Sequence, residues 1–181
     1  FYRALCGAAC ITDLLAPLIG SNIRLRSGGK INMKSAHCGA PVEWHQDWAF
    51  YPHTNDDVLA AGVLLDDMTL DNGPLMVLPG SHKGQIYDHH SGGAFCGAID
   101  PTANDIDFNQ AVPLTGKAGS MTIHHARLVH GSEPNNSGEQ RRLLLYEYTA
   151  ADAWPMAGVE TLSNFEEFNS RIVLGLPTVV P

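Results

Sequence analysis

The hydrophobic pattern at the start of the chain is that of an amphipathic helix. Apolar residues recur at helical spacing between residues 3 and 19, and Gly20 follows as a typical stop. The leucines expected to face a core are Leu5, Leu14, Leu15 and Leu18. Asp13 and Pro17 interrupt the segment, which is too short to span a bilayer and lacks a basic leader. We therefore predict a packed helix over residues 3–19.

After this segment the pattern changes to short apolar runs separated by Gly, Pro, Asn and Asp, which is typical of a β-sandwich or barrel. The predicted strands are Ile23–Arg26, Lys30–Lys34, Val58–Leu65, Leu75–Leu78, Ser120–His124 and Arg142–Tyr148. The polar, glycine-rich segment Gly84–Val112 is predicted to be a long functional loop. The pattern favours a mainly β fold, a cupin-like jelly roll with flanking α-helices.

Composition limits the size of the protein and its partners. A chain of 181 residues is long enough for one domain, 1–181, with its own core. Because Phe1 is not an initiator residue, we expect a trimmed N terminus. The net charge of −8, without a cluster of Lys and Arg, argues against nucleic acid and membrane surfaces as partners. The four cysteines form no CxxC pair and are expected to be reduced, which favours a cytoplasmic location.

A candidate metal site begins at His45-Gln46-Asp47. His45 and Asp47 point the same way if this segment is a strand, because side chains alternate between the two faces. With the distant His130 they form the ligand set of the two-His, one-carboxylate triad, which holds non-haem Fe(II) and leaves positions open for a co-substrate and O₂. Arg141 follows, and a guanidinium can bind a carboxylate through two parallel hydrogen bonds.

Several neighbouring residues compete for these roles. His124 and His125 are the strongest rivals to His130, which is preferred because Gly131 and Ser132 follow it and because of its spacing to Arg141. The remaining histidines are expected at the surface or in structural hydrogen bonds. Arg142 competes with Arg141, but the two project to opposite faces of a strand, so only one can face a pocket.

The motifs around these residues resemble those of the phytanoyl-CoA dioxygenase family of Fe(II)- and 2-oxoglutarate-dependent enzymes. Trp44-His45-Gln46-Asp47 is similar to the family's HxD segment. The stretch from Asn72 to Gly84 resembles its NGPL…LPGSHKG segment, the most specific of the matches. His130-Gly131-Ser132 and Arg141 resemble its distal HGS and arginine, and the segments occur in the family's order over residues 30 to 148.

The resemblance implies a double-stranded β-helix with His45, Asp47 and His130 as iron ligands. It implies Arg141 as the partner of the 2-oxoglutarate carboxylate, and Ser132 as a hydroxyl donor beside it. Gln46 would line the pocket near the co-substrate. The strand Lys30–Lys34 would border the pocket, with Lys30 at a place where an uncharged residue is expected.

The reaction implied is hydroxylation of an aliphatic C–H bond of a small-molecule metabolite, with release of succinate and CO₂. Related halogenases replace the carboxylate ligand by a small residue, so Asp47 argues against halogenation. Trp48, Phe50 and Tyr51 are candidate substrate contacts at the mouth of the site, or core residues. A desaturase or epoxidase of the same family, a non-catalytic jelly-roll metal-binding module and a hydrolytic zinc site are the alternatives.

Overall fold

The computed structural model describes residues 2–102, 106–157 and 164–181. The described α-helices are α1 (Tyr2–Leu5), α2 (Ala9–Ile19) and α3 (Phe165–Asn169). Short 3₁₀ turns occupy Asp47–Ala49, Ser81–Lys83 and Phe108–Gln110. Among the described residues, none of the helices combines the length and apolar character needed to cross a bilayer.

Two antiparallel sheets form the body of the fold. Their strands are β1 (Ile23–Leu25), β2 (Lys30–Lys34), β3 (Val42–His45), β4 (Val58–Leu64), β5 (Leu75–Val77), β8 (Val112–Leu114), β9 (Met121–His125), β10 (His130–Ser132), β11 (Arg141–Ala150) and β12 (Ile172–Leu174). The larger sheet has the order β12-β1-β11-β4-β9, with β2 also paired to β11, and the smaller has the order β3-β10-β5-β8. A separate hairpin joins β6 (His90–Ser91) and β7 (Ala94–Phe95). This is the mainly β, jelly-roll arrangement that the sequence predicted.

The long strand β11 separates the core from the candidate site. Tyr146 and Tyr148 pack in a cluster with Leu15 of α2. On the opposite face of the same strand, Arg141 and Glu147 line a cavity. Because side chains alternate along a strand, β11 contributes side chains to the core on one face and to the cavity on the other.

The predicted helix over residues 3–19 is two helices, and its core face was wrong in part. Leu15 is fully buried, whereas Leu14 and Leu18 are 55% and 56% exposed. The buried stripe of α2 instead runs through Ile11, Leu15 and Ile19, which are spaced four residues apart. The prediction considered only leucines as core residues. Ile11 and Ile19, which lie on the same face as Leu15, show which face of α2 is buried.

The strand predictions agree with the structure to within one or two residues at most ends, and β2 has the predicted bounds. The Gly84–Val112 segment was predicted as a loop, but its described part contains the β6–β7 hairpin and a 3₁₀ turn. Residues 103–105 of that segment lie outside the described residues.

Candidate active site

The three candidate metal ligands come together where β3 meets β10. His130 is the antiparallel partner of His45 in the β3–β10 pair, and Asp47 follows at the start of a 3₁₀ turn. Ligand atoms of His45, Asp47 and His130 all lie within 4.8 Å of one another. Two imidazoles and one carboxylate on one face are the donor set that suits Fe(II) and leaves open positions.

Backbone carbonyls orient both histidines. His45 Nδ1 lies 2.7 Å from the carbonyl of Glu43, and His130 Nδ1 lies 2.9 Å from that of Leu128. A carbonyl only accepts, so each Nδ1 donates, and the lone pair of each ring is on Nε2. The Nε2 atoms face Asp47, which lies 3.7 Å from His45 and 4.0 Å from His130. Both rings therefore present a free nitrogen to the same point.

Electrostatics keeps Asp47 and His130 in the protonation states that a metal requires. Burial alone would raise the pKa of Asp47, but a hydrogen bond from His124 and the neighbouring imidazoles outweigh it, and the pKa is held below its usual range. Burial, together with repulsion from His124, lowers the pKa of His130 to about 3. Asp47 is therefore ionised and His130 neutral at physiological pH.

His124, a rival for the ligand role, lies beside the triad. Its Nε2 is 3.5 Å from Asp47 Oδ2, and its ring centroid is 4.6 Å from that of His130. Its Nδ1 is buried and has no hydrogen-bond partner among the described residues. The other rival, His125, points to the opposite face of β9 and lies near His82, with ring centroids 5.6 Å apart.

A buried cationic pair lies at one end of the cavity. Arg141 is paired in register with Lys34 across β11 and β2, and both side chains are buried. Arg141 donates to the carbonyl of Gly73 at 2.6 Å, while its Nε has no partner among the described residues. Burial lowers the pKa of Arg141 to about 10, and burial with repulsion from Arg141 lowers that of Lys34 to about 8. An anion bound here would relieve both costs.

Sequence reasoning did not identify Lys34, and of the two competing arginines only Arg141 lines the cavity. Lys30 and Lys34 lie on the same face of β2, four residues apart. Only the β2–β11 register shows that Lys34, and not Lys30, is the partner of Arg141. Arg142 faces away from the cavity and makes a bidentate pair with Asp66, with distances of 2.9 Å from Nε and 2.7 Å from Nη2.

The cavity joins the metal ligands to this cationic pair. Its volume is about 510 Å³, and Ser132 lines it together with the three candidate ligands. Lys30 also lines it, but at the other end of β2, where its ammonium lies 3.3 Å from Glu147. Ser132 thus lines the same cavity as Arg141, on the strand that carries His130, whereas Lys30 pairs with Glu147 at the opposite end of β2 from Lys34, the partner of Arg141.

The interpretation of Gln46 as a pocket residue is wrong. Gln46 is fully buried, and its amide donates to the carbonyls of Gln85 and Arg127 and accepts from the Tyr87 backbone. Alternation along the chain turns its side chain away from those of His45 and Asp47. Gln46 anchors the following loop to the segment that carries His45 and Asp47.

His89 shares this anchoring role. It was expected at the surface or in a hydrogen bond, and it is buried. Its Nδ1 donates to the carbonyl of Tyr87, and its Nε2 accepts from the backbone N–H of Gln46. The ring therefore bridges the loop to the segment that carries His45 and Asp47, in one defined tautomer.

The three aromatic residues after Asp47 have separate surroundings. Trp48 packs against the core cluster, and Phe50 contacts the edge of the His45 ring at a centroid distance of 5.7 Å. Tyr51 is buried and lines a second cavity together with Phe50. None of the three is among the lining residues of the metal cavity.

The phytanoyl-CoA dioxygenase (PhyH) family model matches residues 7–143, a range that contains the three candidate ligands and Arg141. The chain belongs to the phytanoyl-CoA dioxygenase family. The resemblance predicted from the motifs is confirmed.

Three known proteins illustrate how similar this chain is to others in sequence or in structure. A probable alpha-ketoglutarate-dependent hypophosphite dioxygenase of Stutzerimonas stutzeri is 50% identical over 175 residues, covering 94% of this chain and 59% of the relative. L-proline trans-4-hydroxylase of Streptomyces griseoviridis is 35% identical over 146 residues, covering 70% of this chain and 54% of the relative. The epimerase SnoN, solved with Fe³⁺, alpha ketoglutarate and nogalamycin RO, superposes with a TM-score of 0.73 at 26% identity, covering 98% of this chain and 70% of SnoN. The chain spans less than two thirds of the length of these two curated relatives.

Proposed function

We propose that this protein is an Fe(II)- and 2-oxoglutarate-dependent dioxygenase that acts on a small molecule. The observation that supports this most directly is one cavity with His45, Asp47 and His130 at one place and the Arg141–Lys34 pair at another. A zinc hydrolase or a simple metal-binding module would need these cations only for the hydrogen bonds they donate to the carbonyls of Gly73, Ala40 and Glu133, and would leave Arg141 Nε without an acceptor among the described residues. The role we propose for this pocket is to hold a metal and a dicarboxylate together.

Each side chain has a role in this proposal. His45, Asp47 and His130 would hold Fe(II) through two neutral imidazoles and one ionised carboxylate, a donor set that fits the ion. Fe(II), 2-oxoglutarate and O₂ supply the oxidising chemistry when bound, with succinate and CO₂ as co-products.

The remaining roles concern the co-substrate and the exclusion of water. Arg141 and Lys34 would neutralise the distal carboxylate of 2-oxoglutarate, and Ser132 would donate a hydroxyl to it. Arg141 and Lys34 are themselves buried, which strengthens their contacts with a carboxylate.

The substrate we propose is hypophosphite. The support is the 50% identity, over 94% of this chain, to a relative named as a probable hypophosphite dioxygenase. Insertion of one oxygen atom into a P–H bond converts hypophosphite to phosphite, and the other atom of O₂ enters succinate. Hydroxylation of an aliphatic C–H bond, as the motifs suggested, is the second candidate, supported by the relative named as a proline hydroxylase.

Product analysis tests the function and separates the two substrates. The purified protein with Fe(II), 2-oxoglutarate and O₂ is given hypophosphite or L-proline, and succinate is measured together with phosphite or hydroxyproline. We expect phosphite and succinate in equal amounts, lost in Asp47→Ala and Arg141→Gln and retained in Arg142→Gln, the matched control. Hydroxyproline without phosphite would favour C–H chemistry, and succinate production unaffected by Asp47→Ala would contradict the proposed function.

A further inference from the structure

A second cavity lies beside the metal cavity on the inner face of the larger sheet. It has a volume of about 320 Å³, and its lining includes Arg24, Arg26, Thr149 and Arg171. The ion pair of Arg26 with Glu147 joins the two spaces, since Glu147 lines the metal cavity and Arg26 the second one. His45, Asp47 and His130 are not among its lining residues, so the second cavity is lined by a different set of side chains.

Arg24 is the unusual residue of this cavity. Its side chain is only 1% exposed, and Nη1 donates to the carbonyl of Ala151 at 2.8 Å. Nε and Nη2 are buried without a hydrogen-bond partner among the described residues. Its guanidinium stacks on Phe168 at 3.8 Å from the ring centroid, which fixes its plane but satisfies no N–H group. A buried charge with two free donors is costly unless something accepts from them.

The free donors form the edge of the guanidinium that binds oxyanions. Nε and Nη2 lie on one side of the group, so two oxygens of one anion can accept from both in parallel. Arg142 of this same chain uses these two atoms to hold the Asp66 carboxylate, at 2.9 Å and 2.7 Å. In Arg24 the same edge lacks an acceptor within the described part of the chain.

Thr149 adds a hydroxyl to the same place. It is the antiparallel partner of Arg24 in the β1–β11 pair, and both residues line the cavity. Its Oγ1 is also buried without a partner among the described residues. Two neighbouring strands thus place unsatisfied polar groups beside one cavity.

The other charges around the cavity leave Arg24 without a direct counter-ion. Arg26 is paired with Glu147, and Arg171 is paired with Glu167 at 3.0 Å. Asp152 acts on Arg24 through its charge, but the described residues contain no salt bridge between these two side chains. His53, which also lines the cavity, donates from Nδ1 to the Tyr51 carbonyl. A bound anion would supply the missing charge.

We propose that this second cavity binds a small oxyanion, of the size of phosphite or phosphate, through Arg24 Nε, Arg24 Nη2 and Thr149 Oγ1. Two anion oxygens accept from the guanidinium edge, and one of them or a third accepts from the hydroxyl. The site does not require the metal, the co-substrate or the proposed reaction.

Isothermal titration of the metal-free protein with phosphite, phosphate and acetate tests the proposal. We expect saturable binding of at least one phosphorus oxyanion, weakened about tenfold or more in Arg24→Gln, since charge-assisted hydrogen bonds are lost. Arg3→Gln, on exposed α1, is the matched control and should bind like the wild type. Arg141→Gln should also retain binding, which distinguishes this cavity from the dicarboxylate end of the metal cavity.

Thr149→Val provides a second test in case Arg24→Gln does not fold. The change keeps the shape of the side chain and removes the hydroxyl, so we expect weaker binding with the fold unchanged by circular dichroism. Tighter binding of acetate than of the phosphorus oxyanions would overturn the assignment of the ligand. Absence of saturable binding to the wild type, or loss of binding in Arg141→Gln but not in Arg24→Gln, would overturn the site itself.

Discussion

His130 lies directly opposite His45 in the β3–β10 pair, and the two ring centroids are 4.2 Å apart. Residues 85 positions apart in sequence thus become neighbours through one strand register. Asp47, two residues after His45, completes the group. The candidate metal site depends on this register, since a shift by one residue would turn His130 away.

Loss of a candidate ligand should abolish tight metal binding. For His130→Ala we expect Fe(II) or Co(II) affinity to fall by roughly a hundredfold or more, since even loss of an outer partner of a ligand costs about 10–100-fold. Calorimetric titration under anaerobic conditions measures it. His125→Ala, on the other face of β9, is the control and should bind metal like the wild type; equal loss in both variants would contradict the assignment.

Removal of the buried guanidinium should weaken 2-oxoglutarate binding. Arg141→Gln leaves the distal carboxylate without its bidentate partner, at a cost of about 2–5 kcal/mol for a buried charge pair. The measurement is 2-oxoglutarate affinity of the metal-loaded protein. Arg142→Gln removes the neighbouring, partly exposed guanidinium and should change that affinity little. A larger effect of Arg142→Gln would show that the pocket has been assigned to the wrong face of β11.

The affinity for 2-oxoglutarate should depend on pH through Lys34. Its pKa is lowered to about 8 by burial and by Arg141, so the ammonium is charged below that pH and neutral above it. A dicarboxylate binds the charged form, and affinity should therefore fall as the pH rises above about 8. Lys34→Met should bind more weakly and lose this dependence, whereas Lys117→Met, at an exposed ion pair, should keep it.

Gln46 should matter for stability. Its amide makes three hydrogen bonds in a fully buried position, so Gln46→Ala should lower the free energy of unfolding by about 2–4 kcal/mol. Denaturant unfolding measures this change. Gln140→Ala, at an exposed position, should change stability by less than about 0.5 kcal/mol. A stable Gln46→Ala protein with weakened 2-oxoglutarate binding would restore the earlier interpretation as a pocket residue.

The register of α2 can be tested with neighbouring leucines. Leu15→Ala removes a fully buried side chain and should cost about 2–5 kcal/mol in unfolding free energy. Leu14→Ala changes a side chain that is 55% exposed and should cost under about 1 kcal/mol. Similar losses in both variants would mean that Leu14 is covered in the protein in solution.

The sequence alone was sufficient for the fold class and for the residues that the structure brings together at the candidate metal site. His-x-Asp places two ligands on one face of a strand, and the distant His130 is recognisable by the Gly and Ser that follow it. Lys34 could not be chosen over Lys30, because the choice depends on which end of β2 faces Arg141. That register is a property of the sheet and not of the local pattern.

The predictions for the helix over residues 3–19 and for Gln46 failed for a different reason. Leu14 and Leu18 fit a helical period as well as Ile11 and Ile19 do, and only packing against the sheet decides which stripe is buried. Gln46 was placed in the pocket by family resemblance, although alternation from His45 pointed away from it. Arg24 drew no attention in the sequence, because an unpaired guanidinium is recognisable only when its surroundings are known.

Anaerobic titration with Fe(II) and then 2-oxoglutarate tests the central claim most directly. A weak visible absorption band arises when a 2-oxo acid chelates Fe(II), so it reports the metal and the co-substrate at one centre. We predict that the band forms, is lost in His130→Ala, and needs higher 2-oxoglutarate concentrations in Arg141→Gln. Fe(II) binding without the band, at saturating 2-oxoglutarate, would contradict the account.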